Sequence, residues 1–345
     1  NGGDGGCGGD SGSSGSCSAC EPVSDNPGSL TIITNGTYTF AETDLKIPAR
    51  GMAAELKRTY RSNRIIATAT GSAFGEPIDG PLGYGWMTPF FVKIINNDTF
   101  VDAEGRYYTF KKDASGNFLT DTASGMTLKK TTAGYTLIKL DAFTRTFDNQ
   151  GKLLTKSDNF GNSWIMVYDT EGKLSNVKDS VQRTLFTFTY DTNNRIAKAT
   201  DIAGRQVTYE YDSFGNLIKA TDAGANIHTY TYNSYHGITT KTNPLNETFT
   251  IEYQYPDRGI VNKVIDPVGT ELIKQGKPAA GHETTYQYDF NNKTFYVTDK
   301  NGRTLKKTVN DKGKPTSEED TVAATLRKVE YLDNRIEKTT DELGN

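Results

Sequence analysis

Apolar and polar residues alternate strictly over short stretches of this 345-residue chain. In RQVTYEYD (205–212), Val207, Tyr209 and Tyr211 share one face of an extended strand, and polar residues occupy the other face. The stretch TFTIEYQY (248–255) repeats this pattern. A period of two is typical of strands that have one covered face. The pattern therefore predicts an all-β fold of consecutive antiparallel hairpins with almost no helix.

Tyrosines recur at the ends of these stretches with a nearly constant period. Successive members of the first five are 22, 21, 21 and 21 residues apart, and two later ones are 43 apart, about two periods. These repeat tyrosines are Tyr168, Tyr190, Tyr211, Tyr232, Tyr253, Tyr288 and Tyr331. The period predicts a repeat of about 21 residues that forms two strands. The longer gap between Tyr253 and Tyr288 predicts an insertion near residues 270–283.

Turns of the form Asp-x-x-Gly separate the predicted strands. The aspartate can accept hydrogen bonds from the turn backbone, and the glycine can take the positive φ that a hairpin turn requires. The structural turn residues predicted in this way are Asp148 with Gly151, Asp169 with Gly172, Asp201 with Gly204, Asp212 with Gly215, and Asp299 with Gly302. Further tetrads begin at Asp102, Asp113, Asp158, Asp266 and Asp341.

The turn model also makes a conformational prediction for the fourth residue of each turn. Asn194 and Asn292 stand at this position, which suits asparagine because it tolerates the left-handed region. Gln182 stands there as well, and the sequence offers no reason for it. Replacing one of the glycines by valine should cost about 1–3 kcal/mol. Positive φ is expected at Gly172, Gly204, Gly215 and Gly302.

Composition divides the chain into three parts. Residues 1–29 are dominated by glycine and serine and predict a flexible leader. Residues 30–100 contain short β-rich runs around GPLGYGW and predict a separate β-module. Residues 101–345 carry the repeats and predict the array.

All three cysteines, Cys7, Cys17 and Cys20, lie in the leader. A disulfide among them is one interpretation, and an inert tether is another. Metal binding would need a further ligand, and redox chemistry would need a strand and helix that lower a thiol pKa. We expect these cysteines to be oxidised in a secreted protein, and the leader to pack little against the repeats.

The remaining candidate chemistry points to a scaffold rather than an enzyme. The aspartates are spaced one per turn and not clustered, so neither an acid/base pair nor a calcium loop is predicted. We therefore predict no catalytic, cofactor or metal-binding residues. A net charge of −3 does not favour nucleic-acid binding, and no apolar run is long enough to span a bilayer. The tyrosines could stack on sugars, although packing in the sheet also explains them.

The repeats resemble those of the RHS/YD-repeat family. YDSFGNL (211–217) and YDTEGKL (168–174) match its motif Tyr-Asp-x-x-Gly-x-Leu, and the resemblance covers roughly residues 101–345. TNGTYTF, LKRTYRSN and GPLGYGW occur in the order of the module that precedes such repeats. The resemblance implies a β-sheet that spirals into a hollow shell, which encloses or displays a payload in a secreted or cell-surface protein.

Three functions follow as expectations. The first is a structural shell or scaffold, the second a filament subunit that assembles by strand addition, and the third a carbohydrate-binding adhesin. DELGN (341–345) lies in mid-repeat, so we expect a strand edge there. Its expected partner is the chain's own C-terminal continuation or another copy, and glycans are a further candidate partner.

Overall fold

The structure is a computed structural model that describes residues 31–32, 36–48, 52–64, 78–121, 124–139, 143–310, 315–320, 325–332 and 335–340. The leader with Cys7, Cys17 and Cys20 lies outside the described residues, as does the Asp341 tetrad. Of Tyr331, only its place in a strand is described.

The N-terminal module consists of three small antiparallel sheets. Strands β1, β2, β3 and β6 form the first sheet in that order, β4 and β5 form the second, and β7, β8 and β9 form the third. A 3-10 turn, Ser62–Arg64, follows β3. The strands are β1 (Thr31–Ile32), β2 (Tyr38–Ile47), β3 (Ala54–Arg61), β4 (Asp79–Gly80), β5 (Gly83–Tyr84), β6 (Trp86–Met87), β7 (Lys93–Ile95), β8 (Thr99–Val101) and β9 (Tyr107–Thr109).

The array is one sheet of 20 strands, in which every strand pairs antiparallel with the next strand in the chain. It begins at Met126, and β9 of the module lies beyond residue 101. Its strands are β10 (Met126–Thr131), β11 (Gly134–Lys139), β12 (Phe143–Phe147), β13 (Leu153–Asp158), β14 (Ser163–Tyr168), β15 (Leu174–Asp179), β16 (Thr184–Tyr190), β17 (Ile196–Asp201), β18 (Gln206–Tyr211), β19 (Leu217–Thr221), β20 (Ile227–Tyr232), β21 (Ile238–Thr242), β22 (Thr248–Tyr255), β23 (Ile260–Ile265), β24 (Glu283–Asp289), β25 (Thr294–Thr298), β26 (Thr304–Val309), β27 (Pro315–Asp320), β28 (Thr325–Leu332) and β29 (Arg335–Thr340).

This architecture confirms the all-β fold of consecutive hairpins, two strands per unit. In the part of the chain that the structure describes, β10 and β29 form the two ends of the sheet, which does not close. Side chains on one face of the array, the inner face, are buried, as the alternation in β18 shows for Val207 and Tyr209. Tyr255, which should share the face of Ile251, is partly exposed because the register shifts twice near the end of β22.

The first residue of each turn accepts hydrogen bonds from the turn backbone through its side chain, as the sequence predicts. In the turn that begins at Asp169, one carboxylate oxygen accepts from the backbone N–H groups of Glu171 and Lys173, both at 2.9 Å. This arrangement removes two unpaired donors from a tight loop. It recurs in the turns that begin at Asp102, Asp113, Asp148, Asp158, Asp179, Asp191, Asp201, Asp212, Asp222, Asn233, Asn243 and Asp299.

The fourth turn residue takes positive φ whether or not it is glycine. Gln182 (67°) and Asn194 (63°) adopt the left-handed region. The prediction for Asn292 is wrong, because Lys293 (φ 50°) takes that conformation instead. Asp289 pairs with Thr294, five positions on, whereas Asp169 closes its turn on Lys173, four positions on, so the loop after Asp289 is one residue longer than the loop after Asp169. The four predicted glycines have φ values of 77° (Gly172), 80° (Gly204), 82° (Gly215) and 82° (Gly302).

A helix replaces one hairpin turn. Between β23 and β24, α1 (Pro267–Lys274) occupies the predicted insertion. The assignment of Asp266 to a hairpin turn is therefore wrong, since its side chain caps the helix by accepting from the Gly269 N–H at 2.9 Å. Pro267 at the first helical position favours this outcome because its fixed φ suits a helix start. A second 3-10 turn, Pro256–Arg258, connects β22 and β23.

Successive turns alternate between the two rims of the sheet, since neighbouring strands are antiparallel. One rim, the tyrosine rim, carries the turns that begin at Asp148, Asp169, Asp191, Asp212 and Asn233. The opposite rim carries α1 and the turns that begin at Asp158, Asp179, Asp201, Asp222 and Asn243.

Candidate functional site

The repeat tyrosines form a hydrogen-bonded row along the tyrosine rim. Each hydroxyl donates to the backbone carbonyl of the residue that opens the preceding strand, and so joins two strand ends that no turn connects. The bonds are Tyr168 to Leu153 (2.7 Å), Tyr190 to Leu174 (2.9 Å), Tyr211 to Ile196 (2.8 Å), Tyr232 to Leu217 (2.7 Å) and Tyr253 to Ile238 (2.9 Å). The row links each repeat to the one before it.

Tyr288 does not continue this row. Its ring packs with Phe295 and Ile260 in a separate cluster, and its buried hydroxyl has no hydrogen-bond partner among the described residues. The interruption follows the insertion that contains α1, which changes the spacing between Tyr253 and Tyr288.

We expect Tyr190→Phe to lower the free energy of unfolding by about 0.5–1.5 kcal/mol, because the Leu174 carbonyl loses its side-chain donor. Burial raises the pKa of Tyr190, which keeps the hydroxyl protonated as a donor. Urea unfolding measures the change. Tyr235→Phe is the matched control, since Tyr235 is exposed in a turn of the same rim. An equal loss in both variants would contradict the role of the row.

The first sheet of the module lies on the inner face of the array. Phe40 of β2 and Trp86 of β6 pack on Tyr230 of β20, with ring centroids 6.0 and 5.3 Å apart. The indole N–H of Trp86 donates to the Tyr232 hydroxyl at 3.2 Å. Tyr60 of β3 bonds through its hydroxyl to the backbone of the turn before Ile238. Module and array therefore share one core.

A charged cluster is buried at the centre of this contact. Arg58 of β3 is 0% exposed, and its Nε donates to both carboxylate oxygens of Asp44 on β2, at 3.0 and 2.7 Å. Its Nη1 donates to the Tyr230 hydroxyl at 3.0 Å, and Tyr209 donates to Asp44 at 2.6 Å. Burial, together with the Asp44 charge, raises the pKa of Tyr209. The array thus supplies two hydrogen-bond partners to a buried ion pair of the module.

A second buried ion pair crosses the same contact. Lys241 of β21 lies 2.6 Å from Glu42 of β2, and both side chains are almost fully covered. His228 of β20 lies 3.9 Å from the same carboxylate. Burial lowers the pKa of Lys241 and that of His228, and the Glu42 charge opposes both shifts. Charged residues of both partners therefore set the orientation of the module.

Backbone hydrogen bonds attach the module to the tyrosine rim. The N–H of Ile94 donates to the Gly151 carbonyl (2.9 Å), and the N–H of Ile196 donates to the Pro81 carbonyl (2.8 Å). A third bond runs from Val261 to the carbonyl of Gly36 (2.9 Å). These contacts place three separate module segments against three different repeats.

A further polar group lies on the inner face of β12–β14. Lys156 of β13 has its ammonium 4.3 Å from the Phe143 ring and 4.1 Å from the Trp164 ring. Burial, with a smaller effect from Arg145, lowers the pKa of Lys156 to about 8. The two aromatic faces offset part of this cost of burying the cation.

The predicted turn aspartates are distributed along both rims and are not brought together. Within the described residues, no group of three or more His, Cys, Asp or Glu side chains is placed to hold a metal ion. In the described part of the chain, no helix is both long and apolar enough to cross a membrane.

The residues that bind the module to the array were not predicted from the sequence. The sequence does contain an indication of buried charged residues in the module. Glu42 and Asp44 continue the period-2 face of Tyr38 and Phe40 on β2. Acidic residues on an otherwise aromatic face of a strand indicate buried partners. The partners themselves could not be found in this way, since Tyr230 is 172 residues from Arg58.

Comparisons with known proteins agree with this organisation. Residues 186–227 match the family model described as RHS Repeat, and residues 32–110 match a domain of unknown function, DUF6531. No protein with curated annotation matches the chain.

Solved structures are similar over most of this chain but at low identity. A Tc holotoxin pore from Photorhabdus luminescens is 12% identical, with a TM-score of 0.37, over 89% of this chain and 20% of that one. A crystal structure of TcdB2-TccC3-TEV is also 12% identical, with a TM-score of 0.36, over 92% of this chain and 22% of that one. The chain thus spans about a fifth of the length of these two.

The matched repeat lies within the hairpin array, from β16 to the start of β20, and the second match covers most of the module. Both agree with the motif at residues 211–217 and with the order of module and repeats. The chain therefore carries an RHS repeat within its array and a DUF6531 domain over most of its module.

Proposed function

We propose that this chain forms part of the wall of a larger β-repeat shell, in a secreted or cell-surface protein, and that the shell encloses or displays another polypeptide. The observation that carries the proposal is the docking of the module on the inner face of an open array. That face buries aromatic rings and ion pairs against folded polypeptide. As part of such a wall the chain has a structural role. In the proposed shell, the wall also surrounds or presents a second polypeptide, the payload.

The free edge of β29 is available for pairing with a further strand. Within the described residues β29 pairs on one side only, with β28. An unpaired edge is a template for strand addition. We propose that the chain's own C-terminal continuation pairs there, whereas addition of another copy would produce a filament.

Protease protection tests enclosure. In the native protein isolated from its source, we expect polypeptide that follows residue 345 to resist a protease that digests the same polypeptide expressed alone. Equal digestion rates would overturn enclosure, as would an intact mass that ends at Asn345. Electron microscopy of the same sample distinguishes separate shells from filaments.

Glycan binding is the competing function. The five repeat tyrosines pack their rings against the shared core and donate their hydroxyls to backbone carbonyls, which leaves little ring surface for stacking on sugars. We therefore expect no saturable binding of the purified chain on a glycan array. Saturable binding would replace the scaffold proposal with an adhesin.

A further inference from the structure

The opposite rim carries a row of exposed apolar side chains at equivalent turn positions. Phe160 is 91% exposed and Leu245 is 77% exposed. Each is the third residue of its turn, as is Val181, whereas Ile202 is the second residue of the turn between them. The full row is Phe160, Val181, Ile202, Leu245, Val268 and Ile273.

The side chains of this row are regularly spaced, with one gap. Consecutive turns of one rim are two strands apart, and strands lie about 4.8 Å apart, so the turns recur about every 10 Å. The turn that begins at Asp222 contributes only Ala223 and Gly224, and α1 contributes Val268 and Ile273. The tyrosine rim has no comparable row, since its turns at Asp148, Asp169 and Asp191 place polar residues at the same positions. Its exposed aromatic residues in the described turns are Phe214 and Tyr235.

We propose that this row is the contact surface for a second copy of the chain, in a symmetric dimer in which the two rows run antiparallel. The proposal goes beyond the scaffold function and uses neither the inner face nor the β29 edge.

The exposed apolar area suits a dimer. Burial of a large aliphatic or aromatic side chain corresponds to roughly 60–120 Å² of apolar surface, so the partly exposed row presents on the order of 400 Å². A standard interface buries about 800 Å² per partner, of which somewhat more than half is apolar. The row therefore supplies most of the apolar surface that one partner contributes. This area lies within the range of about 300–600 Å² for the largest apolar patch of a monomer, and such patches are often functional.

The charges favour the antiparallel arrangement. Arg183 follows the turn of Val181, and Glu247 follows the turn of Leu245, and both are exposed. Within their own turns Arg183 pairs with Asp179, and Glu247 accepts from the side-chain amide of Asn243. When two rows run antiparallel about an axis between Ile202 and Ala223, the turn of Val181 faces the turn of Leu245. Each Arg183 then lies opposite the Glu247 of the other copy, in two equivalent contacts. A parallel arrangement would instead bring like charges together.

Sedimentation equilibrium of the 345-residue chain tests the proposal. We expect a monomer–dimer equilibrium, and we expect Phe160→Ser with Leu245→Ser to raise the dimer dissociation constant by at least about 100-fold, because each copy loses two apolar contacts. Phe214→Ser is the matched control, since Phe214 is 74% exposed at the third position of a tyrosine-rim turn. The control should leave the dissociation constant unchanged.

A charge exchange tests the arrangement. Arg183→Glu and Glu247→Arg should each weaken the dimer, and the double variant should restore it. Unchanged circular dichroism would show that the exposed substitutions do not unfold the chain. A chain that stays monomeric overturns the proposal, as does an equal effect of Phe214→Ser. Failure of the double variant to restore association would overturn the antiparallel contact.

Discussion

Arg58→Ala should lower the free energy of unfolding by about 3–5 kcal/mol, because it leaves the Asp44 carboxylate buried without its cation. The substitution also removes the donor to Tyr230 and the cation over the Trp86 ring. Lys219→Ala removes a more exposed pair with Glu210 and is the control, with an expected loss below about 1 kcal/mol. Urea unfolding of both variants gives the two values.

A double substitution separates the unpaired charge from the lost contacts. Asp44→Asn with Arg58→Met should be less destabilised than Arg58→Met alone, because no uncompensated charge stays buried. The side-chain amide introduced by Asp44→Asn keeps an oxygen that could still accept from the Tyr209 hydroxyl, as the carboxylate does now. Similar losses for Arg58→Ala and Lys219→Ala would show that the cluster is open to water, and would contradict the docked module.

The part of the fold that depends on local chemistry could be predicted from the sequence. The period of Tyr168 to Tyr253 and the aspartate turns involve residues close together in the chain. Positive φ at Gly204 follows from the turn alone. These features specify an antiparallel hairpin array before any long-range contact is known.

Other features depend on residues that are distant in sequence or on single neighbours. Asp266 has the spacing of a hairpin turn, yet Pro267 makes it a helix cap. Asn292 is displaced by Lys293 because the loop is longer, which the tetrad pattern does not reveal. The contacts of the candidate site could not be predicted from the sequence, because Arg58 and Glu42 contact their array partners only when the module is docked.

Gly151 distinguishes a turn that only needs positive φ from a turn that also receives the module. A Cβ at this position would lie 2.0 Å from the Ile94 carbonyl oxygen, which is far inside van der Waals contact. Gly204 has nearly the same φ, 80° against 81°, and a Cβ there would meet no atom within 4 Å. Both variants share the conformational strain of alanine at positive φ, so any difference between them measures the module contact.

We expect Gly204→Ala to cost about 1–2 kcal/mol from backbone strain alone. Gly151→Ala should cost at least about 1–3 kcal/mol more, since either the Ile94 backbone or the turn must move and the bond from the Ile94 N–H to the Gly151 carbonyl is lost. Urea unfolding gives the difference, and hydrogen exchange locates it. Amides of β7 and β8 should exchange faster in Gly151→Ala, whereas those of β17 and β18 should be the ones affected in Gly204→Ala. If the two variants lost equal stability and β7 stayed protected in both, the module would not be seated on this turn.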